Sequence, residues 1–401
     1  MSVPKPGFVV WPGLLAGVMA TFVGLGLARF AYTPLIPLLV QAGWFSEARA
    51  VYLGEAILLG YLLGALFAYR LTQWFQPRVV VGVCLAAIVL SFVLCSWACG
   101  FAWFFAWRLI AGFAGATLIV VVPSMVVLAT PTVRRALVVN LIFAGVGLGA
   151  LLSATFIPLL LAFDLGVTWW SLAALSLVAG VLCWWGLQRM PVATESASPT
   201  GQTCQGKGLG PTAWVVTLVL VAYGLDAIGY LPHTVFWVDF IARENGFGQT
   251  AGAMQWVWFG VGAMLGPFVS AWLAHRMGWH HALWLGLMIK AWAVLLPLLS
   301  LAWLSQTTSS LLVGAMSSGI MALVSGRLAE LVRSDSYQRA WGLATAVFAI
   351  AQAGAGFLMA LLFDWADGAR LLFAVGSGVL MLAALLVFAS GLLGRRQSDL
   401  T

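Results

Sequence analysis

The chain has 401 residues, 63% of them hydrophobic and only 8% charged, with a formal net charge of +7. Soluble domains carry roughly 25% charged residues, so the composition excludes a water-soluble protein. The apolar runs are also far longer than the alternating segments of about 10 residues in a membrane β-barrel, which leaves helices of about 20 residues that span a bilayer.

Read in order, the apolar runs predict twelve spans near 10–40, 47–69, 78–98, 101–127, 134–162, 166–187, 212–241, 249–274, 280–302, 307–331, 338–363 and 369–392. The first run starts near Phe8 and continues past signal-peptide length, so no cleaved signal is expected. Pro34 and Pro232 are expected to bend the first and seventh spans rather than end them. The long polar stretch near 188–211 is rich in Pro, Ser, Thr and Gly and reads as a flexible linker. It divides an N-terminal six-helix bundle, 1–187, from a C-terminal one, 212–401. The fold class is an all-α membrane protein with twelve transmembrane helices in two parallel six-helix repeats.

Lys and Arg set the orientation. With the N-terminus in the cytoplasm, thirteen of the nineteen fall on the cytoplasmic side, three (Arg49, Arg243, Arg370) in outer loops and three (Arg29, Arg108, Lys290) inside spans. The bias predicts cytoplasmic termini and a cytoplasmic linker in a plasma or bacterial inner membrane. It also assigns the net charge to topology rather than to nucleic acid. Of the five cysteines, Cys84, Cys95, Cys99 and Cys183 lie in apolar segments as small packing residues, and Cys204 is a free thiol of the linker.

A repeat joins the halves. Gly26, Leu27, Phe30, Tyr32 and Pro34 match Gly224, Leu225, Ile228, Tyr230 and Pro232 in order and spacing. Gly54, Gly60, Ala68 and Arg70 match Gly260, Gly266, Ala274 and Arg276 at one offset, and Phe143 matches Phe348. Parallel repeats of this kind place a substrate path between the halves.

Twelve spans, a six-plus-six division and a central linker resemble the major facilitator superfamily. The segment Arg29-Phe30-Ala31-Tyr32-Thr33-Pro34 resembles the signature of its YbfB/YjiJ branch. Arg108, Gly112, Gly115 and Ala116 resemble the fourth-span motif of proton-coupled antiporters. The loop motif after the second span reads Ala68-Tyr69-Arg70, and its second copy reads Ala274-His275-Arg276. Both lack the usual acidic residue, and the fifth span lacks the Gly-Pro pair of drug antiporters. The resemblance implies that spans one, four, seven and ten line the cavity and that spans three, six, nine and twelve lie outermost. Arg29, Arg108 and Asp226 would then face the path, and Lys290 would not.

A charge at bilayer depth costs about 2.5 to 3.5 kcal/mol even on the lenient insertion scale, so Arg29, Glu55, Arg108, Asp226 and Lys290 carry most of the information. At about 1.5 Å per residue, Arg29 lies roughly 16 Å, Glu55 roughly 12 Å and Arg108 roughly 10 Å below the outer ends of their spans. Two readings stand for Arg29: a structural ion pair with Glu55, or a substrate or coupling group. Glu55 is a proton carrier or a structural partner. Asp226 sits beside Gly224, Gly229 and Pro232, where the helix bends, and faces Arg29 across the cavity. Lys290 snorkels, pairs locally or takes a direct role. Tyr32 and Tyr230 gain weight as repeat partners. Asn140, Tyr223, His233, Gln255 and Gln352 are weaker polar candidates, and Trp237, Trp256 and Trp258 are candidate ligand contacts near the outer mouth. His275, His280 and His281 read as a solvated loop cluster.

There is no Gly-x-x-x-x-Gly-Lys-Ser/Thr loop, no Cys/His ligand spacing and no nucleophile with a base, so neither ATP drive, a cofactor, a metal nor an enzyme is expected. The function expected is secondary active transport of a small solute by alternating access, driven by protons. The embedded charges sum to +1, which weakly favours an anionic solute. Membrane lipids are the other partners, and the protein is expected to be a monomer. The alternative is a membrane sensor or lipid-handling protein on the same fold.

Overall fold

The computed structural model describes residues 10–160, 164–190, 211–333, 335–366 and 369–398, and every regular element among them is helical. Residues 161–163, where the fifth span was expected to end, and 191–210, most of the expected linker, lie outside the described residues.

The first span has three pieces: α1 (Val10–Thr21), a stretch of wide π-helical turns (Phe22–Phe30) and α2 (Tyr32–Gln41). The next spans are α3 (Glu47–Trp74), α4 (Pro77–Leu94) and α5 (Gly100–Ala129). The fifth is broken into α6 (Thr132–Ile142) and α7 (Ala144–Leu160), and the sixth is α8 (Leu165–Arg189). The seventh runs from α9 (Pro211–Gly229) through π-helical turns at Pro232–Phe236, α10 (Trp237–Asp239) and further π-helical turns at Phe240–Glu244. The last elements are α11 (Gln249–Leu299), α12 (Trp303–Leu331), α13 (Tyr337–Ala366) and α14 (Arg370–Ser398).

Ten helices among the described residues are long and apolar enough to cross a membrane. One of them, α11, supplies both the eighth and ninth spans, because Gly278 breaks it with φ at 78°. That left-handed backbone suits glycine, which has no Cβ to clash. With α13, the total is twelve crossings.

Neither proline ends its span, as expected, and π-helical turns lie beside each of them. Proline has no N–H for the carbonyl four residues earlier. In the first span the wide turns end at Phe30, four residues before Pro34, and in the seventh they begin at Pro232 itself. Widened turns re-pair backbone groups that a strict α-ladder would leave open.

The repeat is real in space, but its register differs from the sequence matching. A Cβ on Gly60 would fall 2.0 Å from the Leu109 carbonyl oxygen, and one on Gly112 would fall 2.1 Å from that of Ile57. In the second half, a Cβ on Gly262 would meet the Leu311 carbonyl at 2.0 Å, and one on Gly314 would meet that of Phe259 at 2.0 Å. Gly60 therefore corresponds to Gly262, one helical turn from its sequence match, Gly266. Small residues spaced four apart on both helices (Gly60 with Gly64, Gly262 with Gly266) let a sequence match slide by one turn.

The halves meet along two seams, α7 on the first part of α11 and α3 on α13. At Gly147 a Cβ would lie 2.1 Å from the Ala263 carbonyl, so the fifth and eighth spans touch backbone to backbone. At the end flanked by Arg189 and Pro211, the halves are locked together. Trp341 Nε1 donates to the Ile119 carbonyl at 3.0 Å, Gln338 Nε2 donates to Thr72 Oγ1 at 2.9 Å, and Phe143 packs edge-on against Trp341. The opposite end holds a cavity between the halves.

Candidate functional site

The cavity has a volume of about 300 Å³ and draws its walls from the first, second, seventh, eighth and eleventh spans. Arg29, Glu55, Tyr32 and Gln352 are its polar groups of interest, and Phe30, Leu58, Leu231 and Trp256 supply apolar surface.

Arg29 belongs to the wide-turned stretch of the first span, whose other eight residues are all buried. Arg29 itself is only partly buried and reaches the cavity. Its Nη2 donates to Gln352 Oε1 on α13, which bridges the two halves. Its guanidinium also lies 5.7 Å from the Phe30 ring centre and 5.8 Å from that of Tyr61. Gln352 Nε2 donates to Tyr230 Oη at 3.0 Å, and the Tyr230 ring lies 4.2 Å beneath the Lys290 ammonium. Lys290 Nζ in turn donates to Asp226 Oδ1 at 2.7 Å. A polar chain thus runs from the open cavity to a sealed ion pair: Arg29, Gln352, Tyr230, Lys290, Asp226.

A second void of about 20 Å³ lies along this chain, bordered by Arg29, Asp226, Tyr230, Lys290 and Ser318. It has room for about one water, and these polar groups stand among mostly apolar walls that include Phe30, Phe259 and Phe348.

Three expectations change here. Arg29 pairs with neither Glu55 nor Asp226, although it shares the cavity with the first and the void with the second. Glu55 lines the cavity, is exposed, and makes no ion pair among the described residues. Asp226 is taken by Lys290, which the resemblance implied would lie away from the path. A lysine stem is long enough to carry its ammonium from a peripheral helix into the interior, and a buried ammonium needs an acid there.

Arg108 is the opposite case. It was expected to face the path, but it is fully buried among α4, α5 and α8. Its Nη2 donates to Ser91 Oγ, and its guanidinium lies 5.0 Å from the ring centres of both Phe92 and Trp169. Two aromatic faces and a hydroxyl stabilise the desolvated cation, which makes no ion pair among the described residues. Tyr32 borders the cavity, but its hydroxyl is tied to the Ala50 carbonyl at 2.8 Å, so it fixes the second span against the first.

The weaker candidates also sort. Trp237 is wholly buried, stacks on His233 and donates to Ser310 Oγ at 2.9 Å, so it is no cavity contact. His233 Nε2 lies 2.7 Å from Ser309 Oγ, and Gln255 is engaged by Ser310 and Thr307. Tyr223 packs on Phe348, and Asn140 is buried. Trp256 does line the cavity, stacked flat on Phe259. Sequence reasoning ranked Gln352 too low. The signal for it was an amide in the eleventh span, which had no charge to attract notice. Among the described residues no group of three His, Cys, Asp or Glu side chains could hold a metal ion.

Comparison with known proteins agrees with this architecture. Residues 21–388 match the family model described as "Uncharacterised MFS-type transporter YbfB". No curated protein sequence matches. Among solved structures, the human organic anion transporter MFSD10 (TETRAN) is similar at a TM-score of 0.72 and 17% identity, over 96% of this chain and 100% of that one. The proton:xylose symporter XylE, bound to 6-bromo-6-deoxy-D-glucose, is similar at a TM-score of 0.72 and 12% identity, over 96% of each chain. At these identities the likeness is one of fold.

Proposed function

The chain belongs to the YbfB-type family of the major facilitator superfamily and is a membrane transporter, and from that premise we propose that it moves a small anionic solute across the plasma membrane by proton-coupled alternating access. The observation that carries this reading is the cavity between the halves, with a cation at its base and a closed seam behind it. An Arg that lacks a carboxylate partner favours an anion in the cavity. The seam of Trp341 with Ile119 and Gln338 with Thr72 is small enough to break when the halves rock, and breaking it would expose the same site to the other side. Glu55 stands open on the cavity wall, where a proton from that side reaches it. The Asp226–Lys290 pair lies at the inner end of the polar chain, where a second protonation would separate it. The linker and both termini face the cytoplasm, as the Lys and Arg bias indicates, and the protein works as a monomer.

The test is uptake into proteoliposomes. A thermal-shift screen of small organic anions first supplies a solute that binds. Its uptake should rise when a pH gradient is imposed and collapse when a protonophore is added. Uptake indifferent to the gradient would remove proton coupling. Glu55→Gln with unaltered uptake at every pH would remove Glu55 from the mechanism.

A further inference from the structure

Gln352 stands where a carboxylate would ordinarily be. Arg29 is a permanent cation at bilayer depth, and such a group is normally matched by an acid. Here its Nη2 is held by a neutral amide oxygen. The amide is itself fixed, because Nε2 donates to Tyr230 Oη and so turns the oxygen toward the guanidinium. Neither nearby acid forms an ion pair with it: Asp226 is engaged by Lys290, and Glu55 faces the same cavity within electrostatic reach of Arg29 but beyond ion-pair distance. The fork is therefore held in place by an amide, with no carboxylate of the described residues hydrogen-bonded to it. Around it the cavity is mostly apolar, with Phe30, Ile36, Leu58, Leu231, Val235 and Trp256 on its walls beside Glu55, Tyr32 and Thr234. Its volume of about 300 Å³ is at the small end for small-molecule sites.

We propose that the solute is a small organic carboxylate with an apolar body, that the Arg29 guanidinium receives its carboxylate, and that Gln352 is the specificity-determining residue that positions this guanidinium without neutralising it. The proposal rests on the transporter reading above and narrows it. Arg29 and Gln352 come from different halves, so a carboxylate bound at this junction touches both. A neutral or cationic body of the same shape gains nothing from the fork and is excluded by the cost of leaving it unmatched.

Equilibrium dialysis of purified protein against radiolabelled benzoate, phenylacetate and hexanoate tests this. At least one should bind, and benzyl alcohol or benzylamine should not compete. Gln352→Glu places an internal carboxylate on the fork and should weaken carboxylate binding about a hundredfold, the worth of two charge-assisted hydrogen bonds. Gln352→Met keeps the size but cannot hold the fork, and should weaken binding about tenfold. Gln352→Asn, a shorter amide, should recover part of that loss. Thermal midpoints show whether each variant is folded. If Gln352→Glu does not fold, Arg29→Gln replaces it, with the same expected loss. No binding by any of the three carboxylates, equal competition by benzyl alcohol, or unchanged binding in Gln352→Glu would overturn the assignment. Uptake measured separately keeps the two readings apart. If proteoliposomes carry a neutral solute while no carboxylate binds, only this assignment falls. If carboxylates bind as described but nothing crosses, only the transport reading falls.

Discussion

Lys290 Nζ lies 2.7 Å from Asp226 Oδ1, with the two side chains 0% and 2% exposed. The partners come from the ninth and seventh spans, so the ion pair ties the ninth span to one that lines the cavity. Breaking a buried pair by removing one partner leaves an uncompensated charge, at about 3 to 5 kcal/mol, whereas replacing both with apolar groups is close to neutral. Lys290→Met and Asp226→Leu should each lower the thermal midpoint strongly. The double variant should recover most of that loss. If the pair also serves coupling, the double variant stays folded but no longer responds to an imposed pH gradient. Additive loss of stability in the double variant would show that the two side chains act independently.

The fate of Arg108 gives a contrasting prediction. It sits away from the cavity, against Phe92, Trp169 and Ser91. Arg108→Met should lower stability by about 2 kcal/mol, the range of a desolvated cation–π contact, and leave the apparent KM for the transported solute unchanged. Arg29→Met should do the reverse, raising KM sharply with a smaller effect on the thermal midpoint. A raised KM in Arg108→Met would return that residue to the substrate path.

How much of this was legible in the sequence depends on what each residue had to do. Spans and repeat were legible because lipid forces every backbone group into helices and leaves long apolar runs. Charges at bilayer depth were also legible: Arg29, Glu55 and Asp226 all border the cavity or the void beside it. What failed was direction. A span number says which helix lines the path, but Arg108 and Lys290 have stems long enough to turn from the side that their helix suggests. Pairing failed for the same reason, since the partners of Arg29 and Asp226 lie on the eleventh and ninth spans. No sequence spacing connects those positions.

The glycine crossings predict where bulk is fatal. A Cβ on Gly60 or on Gly262 would sit 2.0 Å from a backbone carbonyl oxygen of the facing helix. Backbone cannot move aside as a flexible side chain can. Gly60→Val and Gly262→Val should each abolish the monodisperse folded species on size-exclusion chromatography in detergent. Gly354→Val, where a Cβ meets nothing within 4 Å, should leave it intact. Equal tolerance at all three sites would contradict the close packing of the second with the fourth span and of the eighth with the tenth.

The linker-end lock can be tested by loosening it. Trp341 is fully buried, and its Nε1 hydrogen bond to the Ile119 carbonyl crosses from one half to the other. Trp341→Phe keeps most of the packing and removes the donor, leaving that carbonyl short of a partner. A net hydrogen bond is worth about 1 kcal/mol, which shifts a two-state equilibrium roughly fivefold. The shift should favour the state open at the linker end. Gly342 lies beside the lock, near Ala65 and Val120, so a cysteine introduced there reports on it. In a background where Cys99 and Cys204 are replaced by serine, maleimide should label Gly342→Cys several-fold faster once Trp341→Phe is added. A carboxylate that binds the cavity should slow the labelling again. Labelling that is fast already with Trp341 in place would mean that this seam does not close the path.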